Sequence, residues 1–128
     1  MTWQRKTDLD VTVDTYLAAW TEADARRRAA LIERVWADDS RMTDPPFVAR
    51  GRRSISQLAA VRQVEYPGYT FRRVNGVDGD DDRLSFAWQF VGPDGTTAIE
   101  GVDHFDLADD GRLRRVSRRY GAWAKECA

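Results

Sequence analysis

Residues 84–107, LSFAWQFVGPDGTTAIEGVDHFDL, contain two segments in which the side chains of one face are mainly apolar. In the first segment that face consists of Leu84, Phe86, Trp88 and Phe90. A period of two is typical of β-strands, in which successive side chains point to opposite faces of the sheet. Gly92-Pro93-Asp94-Gly95 stands between the segments and predicts a tight turn. The stretch therefore predicts two antiparallel strands that share an apolar face.

Asp103 interrupts the apolar face of the second strand. The residues that share this face are Thr97, Ile99, Gly101, Asp103, Phe105 and Leu107. A lone carboxylate among apolar side chains is strongly disfavoured. Burial also favours the neutral form of a carboxyl group, which can donate a hydrogen bond. Asp103 is therefore expected either to have a buried partner or to work as an acid in a pocket.

The sheet is predicted to extend on both sides of these strands. Residues 69–77 precede them as a strand, followed by residues 78–82, which we interpret as a solvated Gly/Asp-rich loop and not as a metal site. Residues 108–111 form a second hairpin turn, and residues 112–120 form the last strand. Leu113 and Val116 fall out of phase there, which predicts a β-bulge near Arg114-Arg115.

Three helices are predicted before residue 67. The first is expected to begin at a cap formed by Asp10 or Thr12, and the second to run from about Asp24 to about Asp38-Asp39. The third follows Gly51 and ends before Pro67. Their apolar stripes, at helical spacing, are Val13, Tyr16, Leu17 and Trp20; then Ala25, Ala29, Ile32 and Val35 or Trp36; then Ile55, Leu58, Ala59 and Arg62.

Short strands at residues 41–43 and 47–49 flank the turn Asp44-Pro45-Pro46, where the prolines stop both helix and ladder. Helices first and strands second predict an α+β fold, with the helical stripes covering the apolar sheet face. If the sheet curls, an aromatic-walled cavity opens between the two layers. Such cavities, with a few converging polar groups, are the usual sites for small apolar ligands.

Composition limits the function classes. The 128 residues are expected to form one domain, residues 1–128, and a formal net charge of −1 argues against nucleic acid or an anionic membrane as the main partner. Cys127 is the single cysteine, and no apolar run resembles a signal peptide or a membrane span, so we expect a cytoplasmic protein. One histidine and no Gly-rich phosphate loop predict neither a transition-metal site nor a nucleotide cofactor.

Between about residues 11 and 121 the chain resembles the nuclear-transport-factor-two-like superfamily, in its SnoaL-like and ketosteroid-isomerase-like branch. The fragments that carry the resemblance are Tyr16-Leu17-Ala18-Ala19-Trp20, Trp36-Ala37-Asp38-Asp39-Ser40, Asp44-Pro45, Val102-Asp103-His104-Phe105, Gly111-Arg112-Leu113 and Tyr120-Gly121. The resemblance implies a cone: a curved, mainly antiparallel sheet wrapped around three helices, the cystatin-like α+β roll. It also implies a homodimer formed across the outer sheet face, the face on which strand alternation places His104.

The resemblance also implies roles for three residues. Tyr16 matches the tyrosine that donates to the substrate oxyanion in ketosteroid isomerase, Asp44 the aspartate that shuttles the proton, and Asp103 the protonated aspartate beside the tyrosine. Ala59 departs from the pattern, because a supporting tyrosine is expected there. Arg118 is a second departure, because the resemblance places it on the cavity-facing side of the last strand. An arginine there favours the ionised form of Asp103, as in an ion pair.

The residues expected to contact substrate are Trp20, Phe86, Trp88, Arg118 and Tyr120. Three functions are compatible with this set: a cofactor-independent isomerase or cyclase acting next to a carbonyl, an epoxide-hydrolase- or dehydratase-like enzyme using an Asp/Arg pair, and a binding or dimerisation module without chemistry. Purely structural roles also fit each polar residue. Tyr16 can be a core aromatic, Asp44 a turn cap, and Asp103 an ion-pair partner of Arg118.

Overall fold

A computed structural model describes residues 2–79 and 83–121 of the chain, with side chains described from residue 8 onward. Three helices come first: α1 (Thr2–Thr21), α2 (Ala25–Val35) and α3 (Arg52–Glu65). Two strands, β1 (Trp36–Asp44) and β2 (Phe47–Arg50), lie between α2 and α3. The remaining strands follow α3: β3 (Thr70–Arg73), β4 (Asp78–Gly79), β5 (Leu84–Val91), β6 (Thr97–Leu107) and β7 (Leu113–Tyr120).

The strands form one curved, mixed sheet in the order β2-β1-β7-β6-β5-β3, and β4 also pairs with β5. All pairs are antiparallel except β1 with β7, which is parallel. The helices cover the concave face, where one core joins helix residues such as Val13 and Ile32 to sheet residues such as Phe86 and Val116. The predicted α+β cone is thereby confirmed.

The alternation of β5 and β6 places the side chains as predicted. Leu84, Phe86, Trp88 and Phe90 are buried, and Asp103 is buried on the same side of the sheet. The predicted bulge is present as well, because Arg114 is skipped between the pairs Asp106–Arg115 and Leu107–Leu113.

Several predicted boundaries were wrong. Helix α1 begins at Thr2 and not at Asp10 or Thr12; the Asp10 carboxylate accepts a hydrogen bond from Arg73 instead of capping the helix. Helix α2 starts after Asp24, as predicted, and the Asp24 side chain accepts from the backbone N–H groups of two residues in the first turn. It ends at Val35, before the predicted Asp38-Asp39, because the chain turns extended at Trp36 to pair with β7.

The third strand is also shorter than predicted, since β3 stops at Arg73. The Asn75 side chain then accepts a hydrogen bond from the Ala87 backbone N–H, so the chain leaves the ladder there. The predicted loop at residues 78–82 is partly a strand, because Asp78 and Gly79 pair with β5. Residues 80–82 and Cys127 lie outside the described residues. Among the described helices, none is both long and apolar enough to cross a membrane.

Candidate functional site

A cavity of about 240 Å³ opens between the concave sheet face and helices α1 and α3. Half of its lining residues are aromatic, and two arginines are among the polar ones. The lining residues are Trp20, Thr21, Pro45, Pro46, Arg62, Gln63, Tyr66, Tyr69, Phe71, Trp88, Phe90, Ile99, Arg118 and Tyr120. A concave apolar site with few polar groups is the usual form of a small-molecule site.

Arg118, on β7, supplies a buried positive charge at the wall of this cavity. Its guanidinium lies 4.8–4.9 Å from the ring centroids of Trp20, Phe71 and Trp88. Rings at this distance attract the cation through their negative faces. Burial works to lower the pKa of Arg118, but the Asp103 carboxylate outweighs it and holds that pKa well above its usual range. Arg118 is therefore a permanent cation.

The Asp103 carboxylate, fully buried on β6, accepts hydrogen bonds from four donors. Oδ1 accepts from Trp88 Nε1 (2.9 Å) and Arg118 Nε (2.9 Å). Oδ2 accepts from the Tyr16 hydroxyl (2.7 Å) and Arg118 Nη2 (3.0 Å). Both oxygens thus face donors only, and the two arginine contacts form a bidentate pair. Asp103 is arranged as an ionised acceptor rather than as a proton donor.

Tyr16, on α1, uses its hydroxyl within the same network. It donates to Asp103 and accepts from Arg118 Nη2 at 3.1 Å. Burial, followed by the negative charge of Asp103, raises the pKa of Tyr16 well above its usual value. The family pattern expects a supporting tyrosine at the position of Ala59. Here Arg118 and Asp103 hold the Tyr16 hydroxyl instead.

Asp44, at the end of β1, is fully buried behind the cavity wall. Its Oδ1 accepts from the Tyr120 hydroxyl, and its Oδ2 accepts from Arg62 Nε at 3.1 Å. Arg118 Nη1 approaches the same Oδ2 to 3.8 Å. Burial first, and then the bond to Asp44, raise the pKa of Tyr120 to about 12, against the opposing charge of Arg118. Asp44 therefore connects Tyr120 and both cavity arginines.

Four of the five residues predicted to contact substrate line the cavity: Trp20, Trp88, Arg118 and Tyr120. Phe86 does not, because it is buried deeper, against Tyr16 and Phe105.

Tyr16, Asp44 and Asp103 were predicted to converge on the cavity. They are instead linked through Arg118 in a buried network one layer behind its wall. Their catalytic roles remain predictions. His104 lies on the outer face, beside Ser85 and Ser117, as expected from strand alternation.

The sequence interpretation missed Arg62, Tyr66, Tyr69 and Phe71 as lining residues. Arg62 carried a usable signal, because an arginine stood at the end of the apolar stripe of α3. Burial alone would lower its pKa, but Asp44 raises it above the usual value. Tyr66 and Tyr69 lie in the loop after α3, and Phe71 lies on β3. The position of β3 depends on its pairing with β5, which the sequence does not reveal.

Comparison with known proteins agrees with this architecture. A model of the SnoaL-like domain matches residues 13–116. A protein of the SnoaL-like family from Agrobacterium tumefaciens, provisionally described as an isomerase, has a solved structure that is 31% identical, covers 91% of this chain and 99% of its own, and has a TM-score of 0.84. Among curated proteins, none matches the chain.

Two more distant solved structures share the fold. One is a protein from Sinorhizobium meliloti, provisionally described as a polyketide cyclase, at 20% identity and a TM-score of 0.69, with 89% of this chain and 98% of that chain covered. The other, from Catenulispora acidiphila, has a ketosteroid isomerase-like fold and was solved with trimethylamine; its identity is 16%, its TM-score 0.70, and 88% and 87% of the two chains are covered.

Proposed function

This chain belongs to the SnoaL-like domain family, and from that premise we propose that it is a cofactor-independent isomerase or cyclase. Its cavity binds an apolar ring compound, and Asp44 moves a proton next to a carbonyl group of that compound. The observation that carries the proposal is the position of Asp44. This carboxylate lies directly behind Tyr120 and Arg118, two polar residues of the cavity wall.

The oxyanion in this proposal forms against Arg118 and Tyr120, and not against Tyr16 and Asp103. The Tyr16 hydroxyl already donates to Asp103, and both Asp103 oxygens are occupied as acceptors. Arg118 Nη1, by contrast, belongs to a cavity-lining residue and donates no hydrogen bond to any described residue. A fixed cation near a developing enolate oxygen stabilises the transition state more than the neutral ketone.

Tyr120 couples ligand binding to the base. Its hydroxyl donates to Asp44 Oδ1 in the free protein. When a substrate carbonyl oxygen accepts that hydrogen bond instead, the Tyr120 hydroxyl turns away from Oδ1 and opens it to the cavity. Oδ1 can then take a proton from the carbon next to the carbonyl. The electron pair of the C–H bond moves into the enolate. In isomerisation of an unsaturated ketone, whose C=C bond is conjugated with the enolate, Asp44 returns the proton to the far carbon of that bond and the double bond shifts. In cyclisation the enolate carbon attacks a second carbonyl, whose oxygen takes the proton.

Proton exchange at the carbon next to a carbonyl tests the proposal without knowledge of the natural substrate. The probe is 2-tetralone in D2O, and NMR follows the loss of the signal from its α-protons. We expect the wild-type protein to accelerate this exchange and Asp44→Asn to lower the acceleration by about a hundred- to ten-thousand-fold, because the base is lost. Asp106→Asn, on the outer face, is the matched control and should keep the wild-type rate. Equal rates in wild-type protein and Asp44→Asn would reject Asp44 as the base.

A second candidate is a hydrolase or dehydratase, which the acid–arginine–acid order of Asp44, Arg118 and Asp103 favours. In epoxide hydrolysis Asp44 takes a proton from water, the water oxygen bonds to one ring carbon as the C–O bond of that carbon breaks, and Asp44 returns the proton to the epoxide oxygen. Incorporation of ¹⁸O from labelled water into a small cyclic epoxide distinguishes this chemistry. Label incorporation together with no α-proton exchange would favour the second candidate.

A further inference from the structure

Among the described residues that line the cavity there are two arginines and no carboxylate. Arg62 and Arg118 both line the cavity, whereas Asp44 and Asp103 are fully buried behind them. We propose that the ligand of this cavity is a ring compound that carries a carboxylate, and that the carboxylate binds between Arg62 and Arg118. This inference rests on the proposed function, since it names the class of compound that the same cavity takes.

Each arginine has one terminal nitrogen without a partner among the described residues. Arg118 uses Nε and Nη2 for Asp103 and Tyr16, and its Nη1 has Asp44 Oδ2 only at 3.8 Å. Arg62 uses Nε for Asp44 and Nη1 for Glu65, and its Nη2 donates to no described group. Two guanidinium groups that each keep N–H donors uncommitted are well suited to the oxygens of a carboxylate.

The two guanidinium groups are held close to each other by a single atom. Arg62 Nε and Arg118 Nη1 lie 3.1 Å and 3.8 Å from the same oxygen, Asp44 Oδ2. The Asp44 carboxylate offsets the repulsion between the two guanidinium groups and keeps them side by side, so the free N–H donors of both can serve one bound carboxylate.

The aromatic rings around Arg118 disfavour a cationic ligand at this end of the cavity. Rings that could attract an ammonium group already surround the Arg118 guanidinium, with Trp20, Phe71 and Trp88 within 5 Å of it. A cationic ligand would meet an arginine in the place where it needs a free aromatic face. The remaining wall, which includes Tyr69, Phe90 and Ile99, suits an apolar body.

The volume suits a small ring. An apolar cavity of about 150 Å³ accommodates benzene, so the 240 Å³ available here leaves room for one ring with a substituent. Benzoate is therefore a suitable probe, with benzamide as its neutral analogue of the same shape and benzylammonium as a cationic one.

Calorimetric titration of the full chain with these three compounds tests the inference. We expect benzoate to bind at least about tenfold more tightly than benzamide, because charge-assisted hydrogen bonds are about twice as strong as neutral ones. Benzylammonium should not bind. Arg62→Gln should lower the affinity for benzoate to about that for benzamide. Arg112→Gln, a change at an exposed arginine paired with Asp110, should behave like wild type.

Glu65→Gln provides a second test that does not depend on the stability of Arg62→Gln. It removes the exposed carboxylate that pairs with Arg62 Nη1, so the preference for benzoate should increase. Equal or tighter binding of benzamide by the wild-type protein would overturn the carboxylate inference while leaving the proposed function intact. Binding of none of the three compounds would overturn the inference, whereas failure of the proposed function would appear as a lack of α-proton exchange.

Discussion

At the scale of single residues, Asp103 joins helix α1 to strands β5 and β7. Its two oxygens hold the side chains of Tyr16, Trp88 and Arg118, all of them buried. The desolvation of such a pair offsets much of its attraction, but removal of one partner leaves an unpaired charge inside the protein. The role of Asp103 in the geometry is therefore to keep Arg118 in place at the cavity wall.

Asp103→Asn should lower the free energy of unfolding by about 3–5 kcal/mol, because the Arg118 cation loses its buried counter-charge. The matched change Asp106→Asn affects an exposed pair with Arg115 and should cost about 1 kcal/mol or less. Urea unfolding followed by tryptophan fluorescence measures both. A cost for Asp103→Asn no larger than that for Asp106→Asn would show that the network does not stabilise the fold.

The two tyrosines of the network should make the protein sensitive to alkali. The pKa of Tyr120 is raised to about 12 and that of Tyr16 lies well above its usual value, against about 10 in an unfolded chain. Between pH 10 and 12 the folded state therefore binds more protons than the unfolded state, so its stability is complete below pH 10 and falls as the pH rises.

Urea unfolding between pH 9 and 12 measures this loss, and tyrosinate absorbance follows the ionisation directly. Tyr120→Phe should flatten the fall in stability between pH 10 and 12. An identical slope in wild-type protein and Tyr120→Phe would contradict the assignment of this pH dependence to Tyr120.

At the scale of elements, the packing of β5 against β6 and β7 depends on Gly101. Gly101 lies opposite Trp88 on one side and Tyr120 on the other, and the two rings meet edge to face at 5.8 Å. A Cβ atom at Gly101 would lie 2.3 Å from Trp88 Cζ2 and 2.5 Å from the Arg119 carbonyl oxygen. The missing side chain thus lets Trp88 reach Asp103 and Tyr120 reach Asp44.

Gly101→Ala should destabilise the protein by about 1–3 kcal/mol, because the added methyl group overpacks a buried site. It should also weaken benzamide binding, since both displaced rings line the cavity. Gly92→Ala is the control, because its added Cβ would meet no atom closer than 3.2 Å. Chemical unfolding and calorimetry give the two readouts. Wild-type stability and binding in Gly101→Ala would show that Trp88 does not need this space.

The sequence predicts features that depend on neighbouring residues, and it misses those that depend on contacts between distant segments of the chain. Alternation within β5 and β6 is local, and it placed Trp88, Asp103 and His104 on the correct faces. The extension of β1 to Trp36 depends on pairing with Leu113 of β7, a contact that periodicity does not reveal. The start of α1 was missed because Asp10 is a good cap by type but pairs with Arg73.

The candidate site shows the same limit. Spacing identifies the face on which a side chain lies, but not its depth below that face. Tyr16 and Asp103 were therefore predicted on the cavity wall, whereas Trp88 and Arg118 stand between them and the cavity. Arg118 was correctly predicted as a partner of Asp103 because two inward-facing residues on neighbouring strands have few other choices.

At the scale of the whole molecule, the outer sheet face carries positive charge. Arg41, Arg115 and Arg119 surround His104 there, and burial and then Arg119 lower the pKa of His104 below 6.5. An antiparallel sheet can leave one face free for another surface. The homodimer across this face, which the family resemblance implies, remains a prediction.

Sedimentation equilibrium at micromolar concentration should give about twice the chain mass of 14.6 kDa. Ser117→Arg, next to His104, should shift the equilibrium toward the monomer, because it adds a like charge at the centre of this face. Asp94→Arg in the exposed hairpin turn is the control for an added arginine. A wild-type mass of one chain would contradict the dimer.

The position of a bound ring ketone tests the central claim most directly. We expect a crystal structure of the protein with 2-tetralone to show the ring in the aromatic cavity between Trp88 and Phe90. Its carbonyl oxygen should lie within hydrogen-bonding distance of Arg118 Nη1 or the Tyr120 hydroxyl, with a carbon next to the carbonyl facing Asp44. A ring bound elsewhere, or a carbonyl group directed toward the cavity mouth with Tyr120 still bonded to Asp44, would contradict the assignment of this cavity as the site of proton transfer.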